Sequence, residues 1–361
     1  MVKVSKVFTR SLCGIILLTG FLSSCENNSN SSVNAPSIDP NQTVMIKGAG
    51  ATFPAPLYQL WIQKYGEGKD KQNIKIAYDS VGSGKGVKNF LEENVDFGAS
   101  DAPLNEKEKK LFPENRGKAL QLPMTGGLLV FAYNLSNYEG LENIRLSRES
   151  YCGITTGKIK KWNDPQIVAD NPDLRLPDIP IIFVHRSDGS GTTFIFTSHV
   201  EKACADWKSG SGKEVEWPVG IPADGNEGVS TQIQQTQGAI GYIEYSYSKT
   251  KNLKTATIQN KAGNFIKPSP ESASKAFGNS NIPEDFALLI PVTDIPDAYP
   301  IVGLTWLLIY GNYSDPSKAE VIKDFVQWSL IQGDESATNL GYLPIPDDLQ
   351  QKVITSLDSS L

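Results

Sequence analysis

The chain has 361 residues, of which 39% are hydrophobic and 20% are charged, so it is long enough to form two domains that each bury a core. Its formal net charge is -6 at pH 7, and this acidic balance argues against the broad basic faces that bind nucleic acid. It does not exclude a small anion, because a few well-directed donors matter more to such a ligand than net charge does.

Residues 1–24 have the pattern of a lipoprotein signal peptide. A basic start precedes an apolar run over residues 12–22 that is too short to span a bilayer comfortably. The run ends in LSSC, which resembles a bacterial lipobox and implies cleavage before Cys25 and lipidation of its sulfur. Residues 25–43 are polar and predict a disordered tether. An ordinary secretory signal or an uncleaved anchor is the alternative.

The cysteines leave two possibilities open. Four are present, and loss of the signal and lipidation of Cys25 would leave Cys152 and Cys204. An extracytoplasmic compartment permits a disulfide between them, and two separate buried thiols fit the sequence equally well. No C-x-x-C pattern occurs and the chain has only two histidines, so no zinc site is predicted.

A strand, a Gly/Ser/Thr turn and a helix recur three times along the chain. The units begin at VMIKGAGATF, IKIAYDSVGSGKG and IIFVHRSDGSGTTF. This alternation is typical of a parallel-sheet α/β protein, in which ligands bind beyond the carboxyl ends of strands and at helix N-termini. The apolar residues that predict the helices are Leu57, Leu60, Trp61 and Tyr65, then Val87, Phe90, Leu91 and Val95, then Phe196, Val200, Ala203 and Trp207.

Several familiar sites do not fit these loops. Asp79 and Gly86 stand where a Walker A loop needs its first glycine and its hydroxyl, and Phe53 and Val87 replace the third glycine of a dinucleotide fingerprint. Ser190 is not in a G-x-S-x-G elbow, and clustered Asp and His ligands of a metal-dependent phosphatase are absent from the sequence pattern. No catalytic residue, metal or cofactor is therefore predicted.

Together the three loops supply many hydrogen-bond donors and little bulk. GAGATFPAP offers Thr52 and backbone amides, GSGKG offers Ser83, and RSDGSGT offers Arg186, Ser190 and Thr192. Arginine is a forked, charged donor, glycine lets the backbone approach a ligand, and helix N-termini add partial positive charge. Each loop alone is compatible with a plain turn, but the three predict a cage of donors around a compact oxyanion.

These residues resemble the phosphate-binding proteins of high-affinity bacterial phosphate ABC transporters, and the resemblance covers residues 44–361. The motifs that carry it are GAGATFPAPLYQLW, VDFGASDAPL, KIKKWNDP, RSDGSGTTFIFTS, WPVG, GAIGYIEYSY and LGYLPIP. It implies a periplasmic-binding-protein fold of the α/β class, in which two domains joined by crossing strands enclose a ligand cleft. Domain I would comprise residues 44–132 and 305–361, and domain II residues 133–304.

The resemblance also assigns roles to individual residues. Asp188 matches the family's aspartate that holds the binding arginine in place. The chain departs from the family in GSGKG, where G-S-S-G-G is common, so Gly84 and Lys85 replace a serine and a glycine, and we expect Lys85 to point into solvent. The residues placed on a bound phosphate are Thr52, Phe53 (through its amide), Ser83, Asp101, Arg186, Ser190, Gly191 and Thr192.

Asp101 is unusual because a carboxylate beside an anion is repulsive unless the anion has a proton to donate. Phosphate near neutral pH carries protons and sulfate carries none, so Asp101 would accept a bond that phosphate supplies and sulfate lacks. Binding of sulfate or molybdate is the nearest alternative, and this acceptor weighs against it.

The sequence therefore predicts a binding protein and not an enzyme. It would be a lipoprotein outside the cytoplasm, periplasmic or at the cell surface, that closes over phosphate by a hinge motion. Its partners would be the permease subunits and ATPase of an ABC transporter and, through the lipid, the membrane. A sensory role is an alternative, and an extracellular phosphatase or hydrolase is disfavoured.

Overall fold

The computed structural model describes residues 43–277, 283–289 and 294–361. The predicted signal peptide, Cys25 and the tether up to residue 42 lie outside the described residues. Within the described ranges, none of the helices combines the length and the apolar character needed to cross a bilayer.

The described chain contains each of the three strand–turn–helix units that the sequence predicts. The strands are β1 (Val44–Gly50), β2 (Ile74–Ser80), β3 (Phe97–Ser100), β4 (Ala119–Tyr133), β5 (Arg145–Leu146), β6 (Ile182–Arg186), β7 (Ile221–Ala223), β8 (Ala239–Glu244), β9 (Lys254–Thr255), β10 (Thr257–Gln259), β11 (Phe265–Ile266) and β12 (Val302–Tyr310). The helices are α1 (Ala55–Gly66), α2 (Ser83–Leu91), α3 (Glu106–Lys110), α4 (Arg148–Thr155), α5 (Pro165–Asp170), α6 (Gly191–Ala203), α7 (Gly225–Gln235), α8 (Tyr245–Thr250), α9 (Pro270–Ser274), α10 (Pro316–Gln332), α11 (Asp334–Leu340) and α12 (Asp347–Ser360).

One large sheet has two parallel parts joined by two antiparallel strands. Its order is β2-β1-β3-β12-β4-β8-β6-β7, with β9 paired to β4. We call β2, β1 and β3 with their helices the first half, and β8, β6 and β7 with theirs the second half; the pairs within each are parallel. A separate three-stranded sheet has the order β11-β10-β5.

The central strand β4 runs from one half to the other. It pairs with β12 from Ala119 to Leu128 and then with β8 from Leu129 to Tyr133, so the chain passes from one half to the other along this strand. Both β4 and β12 are buried along almost their whole length. Their nearly continuous apolar sequences follow from this burial, because both faces of the sheet are covered by other elements.

The helix predicted after β1 forms as α1, and Leu57, Trp61 and Tyr65 are buried on its inner face. Leu60 is only half-buried, whereas Tyr58, on the same helix, is buried. Pro54 is the N-cap and Pro56 lies in the first turn, where the missing N–H of a proline breaks no helical hydrogen bond.

The other two predicted helices are shorter than their apolar spacing indicates. α2 ends at Leu91, because Glu93 adopts a left-handed conformation with φ 57°, and Val95 lies in the turn before β3. α6 ends at Ala203, and Trp207 lies beyond it, where its ring packs edge-on against Trp217. Both Val95 and Trp207 are buried, so the apolar pattern identified core residues correctly and assigned their backbone wrongly.

Cys152 and Cys204 form a disulfide, with their Cα atoms 5.4 Å apart. The bond joins α4 to the C-cap of α6, the helix that follows β6 in the second half. The sequence left this pairing open because 52 residues separate the two cysteines.

Candidate functional site

The polar loops singled out in the sequence meet where the parallel strands of the two halves end. The eight residues predicted to bind the anion lie at the ends of β1, β2, β3 and β6 or shortly after them and are all buried: Thr52, Phe53, Ser83, Asp101, Arg186, Ser190, Gly191 and Thr192. Four helices of nine residues or more begin at the same place, namely α1, α2, α6 and α7. Their N-terminal amides add partial positive charge to the site.

Arg186 ends β6 and is held by Asp188 two residues later. Its Nε donates to Asp188 Oδ1 at 2.7 Å, and its Nη2 donates to Asp188 Oδ2. Both side chains are almost completely buried, at 1% and 4% exposed. Asp188 Oδ1 also accepts from the backbone N–H of Gly225 at 3.1 Å, and the positive charge of Arg186 helps to keep the pKa of Asp188 below its usual value even though burial opposes this.

The third guanidinium nitrogen of Arg186 is free for another partner. Nη1 is buried and has no hydrogen-bond partner within the described residues. A buried charged donor of this kind is costly unless an acceptor reaches it, and a tetrahedral oxyanion supplies such acceptors.

Asp101 follows β3 and contributes a carboxyl group to the same site. Its Oδ1 accepts from Thr305 Oγ1 at 2.8 Å, and its backbone N–H donates to Ser83 Oγ at 3.2 Å. Burial raises the pKa of Asp101 to about 7, against the opposing effects of the Thr305 hydrogen bond and the Arg186 charge. Near neutral pH this carboxyl group can therefore either accept or donate a hydrogen bond.

Hydroxyl groups line the start of α6. Ser190 is the N-cap, and its Oγ accepts from the backbone N–H of Thr193 at 2.9 Å, which leaves the serine proton available to a ligand. The Thr193 hydroxyl is hydrogen-bonded to the hydroxyl of Tyr242. The Tyr242 hydroxyl also accepts a hydrogen bond from the backbone N–H of Arg186 at 3.2 Å. Tyr242 thus ties the end of β6 to the first turn of α6.

Two tyrosines from distant parts of the chain hold the loop after β1. The Tyr247 hydroxyl donates to the carbonyl of Thr52 at 2.6 Å, and the Tyr342 hydroxyl donates to the carbonyl of Phe53 at 2.7 Å. Hydrogen bonds to both carbonyls hold the loop in place. The polar groups of Thr52 and Phe53 that remain for a ligand are the Thr52 hydroxyl and the two backbone amides.

Close approach of the two halves depends on glycine. The backbone N–H of Gly84 donates to the carbonyl of Gly189 across the cleft at 2.7 Å. A Cβ atom on Gly191 would lie 2.5 Å from both Asp101 Cβ and Ser83 Oγ, which is closer than side chains tolerate. An ion pair between Lys213 and Glu108 also joins the two halves at the edge of the site.

Sequence reasoning missed two buried polar residues of this site. Asn226, the second residue of α7, donates to the hydroxyls of Thr52 and Thr192, and Thr305 donates to Asp101 from the middle of β12. The pairing of β12 with β4 shifts register next to Thr305, as strands often do beside functional sites. Neither residue is in a motif, and only proximity in the fold relates them to the loops.

The two histidines and Lys85 lie apart from this chemistry. His185 stacks on Trp217 and its Nδ1 lies 2.9 Å from the carbonyl of Arg186, while His199 Nε2 lies 3.2 Å from the Tyr151 hydroxyl. Burial lowers the pKa of both, that of His199 to about 3, so both imidazoles are neutral near pH 7. Lys85 is exposed, and the described part of the chain contains no group of His, Cys, Asp and Glu suited to a metal ion.

Known proteins resemble this chain over most of its length. A profile of the PBP superfamily domain matches residues 35–332. Phosphate-binding protein PstS of Xylella fastidiosa strain 9a5c is 37% identical over 352 residues, which cover 95% of this chain and 94% of that protein. Phosphate-binding protein PstS of Haemophilus influenzae is 39% identical over 313 residues, covering 85% and 91%.

A solved structure shows the same architecture. The high-affinity periplasmic phosphate-binding protein PfluDING, determined with bound phosphate, matches with a TM-score of 0.71 at 23% identity, covering 87% of this chain and 94% of that one. This likeness confirms the predicted fold class, an α/β periplasmic-binding-protein fold of two domains.

Proposed function

The chain belongs to the PBP superfamily and, within it, to the PstS phosphate-binding proteins, and we propose that it captures inorganic phosphate outside the cytoplasm for an ABC transporter. Its role is binding without chemistry. The phosphate would be held in the cleft between the two halves, which close over it by a hinge motion about the crossing strands β4 and β12.

The observation that carries this proposal is the buried guanidinium of Arg186. Two of its nitrogens are committed to Asp188, while Nη1 is buried and unpartnered within the described residues. Hydroxyl donors and helix N-termini surround the same cleft. A forked, oriented cation among donors fits a compact oxyanion better than any neutral ligand.

The eight residues predicted from the sequence would each contribute to the bound anion. Arg186 would supply charge, the hydroxyls of Thr52, Ser83, Ser190 and Thr192 would donate, and the amides of Phe53 and Gly191 would complete the shell. Their common burial at the ends of the parallel strands supports this assignment. Asp188 would act only through Arg186, which it holds in place.

The carboxyl group of Asp101 favours binding of phosphate over other tetrahedral oxyanions. In its ionised form the carboxyl group accepts hydrogen bonds from Thr305 at 2.8 Å and from Ser83 at 3.5 Å, so an anion that carries a proton can satisfy it and an anion without one is repelled. Phosphate and arsenate carry such a proton near neutral pH, whereas sulfate and molybdate do not. Because a polar group left unpaired in a closed site is costly, discrimination can reach about 10⁴-fold.

The proposed location of the protein in the cell follows from its N-terminal sequence. Lipidation of Cys25 would anchor the protein to a membrane, periplasmic or at the cell surface, next to the permease subunits and ATPase that receive phosphate. Residues 44–132 and 305–361 would form domain I and residues 133–304 domain II. The change of strand partner at Leu129 of β4 supports this division.

Calorimetric titration of the purified protein with phosphate, arsenate, sulfate and molybdate tests the function. We expect tight binding of phosphate, comparable binding of arsenate, and much weaker binding of sulfate and molybdate, all in a phosphate-free buffer at fixed salt. Tighter binding of sulfate or molybdate than of phosphate would assign the site to a different oxyanion, and no heat with any of the four would refute the proposal.

A further inference from the structure

We propose that Asn226 is a positioning residue of the anion site: it turns the hydroxyl protons of Thr52 and Thr192 towards the ligand, and it reaches Thr52 only when the two halves are together. This inference rests on the proposed function, because it concerns how the same cleft holds its anion. Asn226 belongs to the second half, and it acts on the ligand through hydroxyl groups of both halves.

Asn226 is completely buried at the start of α7, and each of its polar atoms is engaged. Its Nδ2 donates to Thr52 Oγ1 at 2.9 Å and to Thr192 Oγ1 at 3.0 Å. Its Oδ1 accepts from the backbone N–H of Glu244 at 2.9 Å. One side-chain amide therefore connects β8, the loop after β1 and the first turn of α6.

The contact with Glu244 determines which way the amide group faces. A backbone N–H can only donate, so the atom of Asn226 next to it must be the oxygen, and the NH₂ group must face the two threonines. An NH₂ group can donate hydrogen bonds but cannot accept them, so both threonine hydroxyl oxygens must accept from it. Each threonine therefore keeps its own proton for a different partner.

Thr52 is constrained further by the backbone of Asn226. The Asn226 N–H also donates to Thr52 Oγ1, at 3.2 Å, so this hydroxyl oxygen accepts two hydrogen bonds. A hydroxyl oxygen has two lone pairs, and with both engaged the group can act only as a donor. An anion, which offers only lone pairs at most of its oxygens, is the partner that such a group requires.

The arrangement also couples binding to closure. Thr52 lies in the first half, and Asn226 and Thr192 lie in the second, so the bonds to Thr52 exist only when the halves meet. In an open cleft the Thr52 proton is free to rotate towards water. Closure would then orient the hydroxyl at the moment when the anion needs it, which makes part of the binding free energy conditional on Asn226.

A double-mutant cycle on phosphate affinity tests this role. Asn226→Ala should weaken phosphate binding at least tenfold, which corresponds to about 1.4 kcal/mol. In a Thr52→Val, Thr192→Val background, which lacks both hydroxyls, the same substitution should weaken binding less than threefold. Equilibrium dialysis with labelled phosphate measures both tight and weak binding, and circular dichroism confirms that each variant is folded. Asn226→Ser replaces the alanine variant if that one does not fold.

Asn171→Ala is the matched control. Asn171 is also buried, its Nδ2 donates to the carbonyls of Arg145 and Ile167, and its Oδ1 accepts from the backbone N–H of Arg145. It should lower the melting temperature and leave phosphate affinity within about twofold of the parent. A purely structural role for Asn226 would give the same pattern.

The outcomes are distinct. A penalty for Asn226→Ala that largely disappears without the two hydroxyls supports the inference. An equal penalty in both backgrounds, or none in the parent, overturns it while the proposed function stands. If the parent protein itself does not bind phosphate, the proposed function fails and the inference fails with it.

Discussion

The carboxylate of Asp188 holds the guanidinium of Arg186 along one edge, with Nε and Nη2 donating to its two oxygens and Nη1 left over. Asp188 is in turn fixed by the backbone N–H of Gly225 at the start of α7. The direction in which the free nitrogen points is therefore set by the backbone of the second half and not by the ligand.

Arg186→Ala should weaken phosphate binding by at least 30-fold. The substitution removes a charged, forked donor from a closed site, and such losses cost about 2–5 kcal/mol. Arg186→Lys keeps the charge without the fork, so it should bind better than the alanine variant and worse than the parent. Titration calorimetry gives all three affinities, and normal binding by Arg186→Ala would mean that the cleft has been assigned to the wrong residues.

Asp101→Asn should narrow the phosphate-to-sulfate affinity ratio by at least tenfold. The amide carries no charge and can donate, so an anion without a proton is no longer repelled. Arsenate should follow phosphate in both proteins because it carries protons in the same way. Competitive titration with the three anions at one neutral pH and fixed salt checks this, and a variant that rejects sulfate as strongly as the parent would show that Asp101 does not determine the choice.

The stability of the ligand-free protein should depend on pH through Asp101. Its pKa is about 7 in the folded state and near 3.8 when unfolded, so between these values the folded state binds more protons. The free energy of unfolding that this group contributes is therefore highest below about pH 4 and falls as pH rises to 7. Asp101→Asn removes the effect, so its melting temperature relative to the parent should be higher at pH 8.5 than at pH 5.5.

Comparing the melting temperatures of Asp101→Asn and the parent at each pH removes the pH dependence of groups that titrate independently of Asp101. Glu244 is also buried with a raised pKa, about 8, and His199 has a lowered one, about 3, so both contribute their own pH dependence to each protein. The His199 contribution cancels in the difference between variant and parent, and that of Glu244 cancels except for the part that the Asp101 charge adds to its pKa. A difference in melting temperature that is the same at both pH values would contradict the raised pKa of Asp101.

Gly191→Ala should impair closure without unfolding the protein. The new Cβ would lie 2.5 Å from Asp101 Cβ and Ser83 Oγ, both in the opposite half, so the clash arises only when the halves meet. Phosphate affinity should fall at least tenfold while the ligand-free melting temperature changes little. Gly228→Ala is the control, because its Cβ would lie 3.7 Å or more from other atoms and should leave binding intact. Equal affinities for the two variants would refute the steric role of Gly191.

Cys25 should carry a lipid. Mass spectrometry of the membrane fraction should detect a diacylglycerol adduct on an N-terminal Cys25, and Cys25→Ser should yield an unprocessed or released protein. An unmodified Cys25 together with cleavage at another position would rule out the lipoprotein assignment.

The three strand–turn–helix units were predicted from local patterns in the sequence, whereas the two-domain fold and the roles of the individual site residues came from the family resemblance. Each of the three units shows its strand, turn and helix within about 25 residues, and parallel strands bring their carboxyl ends to one edge. The errors at Val95 and Trp207 have a physical cause. A buried residue in a turn and a buried residue in the next helical turn give the same apolar spacing, so periodicity does not locate the helix end.

The rest of the site depends on long-range contacts that no local pattern records. Asn226 lies 174 residues from Thr52, in a Gly-Asn pair that is typical of an ordinary turn. Thr305 lies 204 residues from Asp101, within an apolar strand where a threonine is unremarkable. The Cys152–Cys204 pairing likewise depends on the distance between α4 and α6, which the sequence does not contain.

The position of β12 also determines the order in which the chain can fold as it emerges, N-terminus first, outside the cytoplasm. β12 lies between β3 and β4, so β3 has no neighbour on that side until residues 302–310 have been made. The strands of the second half all precede residue 245, so that half can be completed while the earlier half waits. The half that begins first is therefore finished last, and most of the chain must have emerged outside the cytoplasm before the cleft exists.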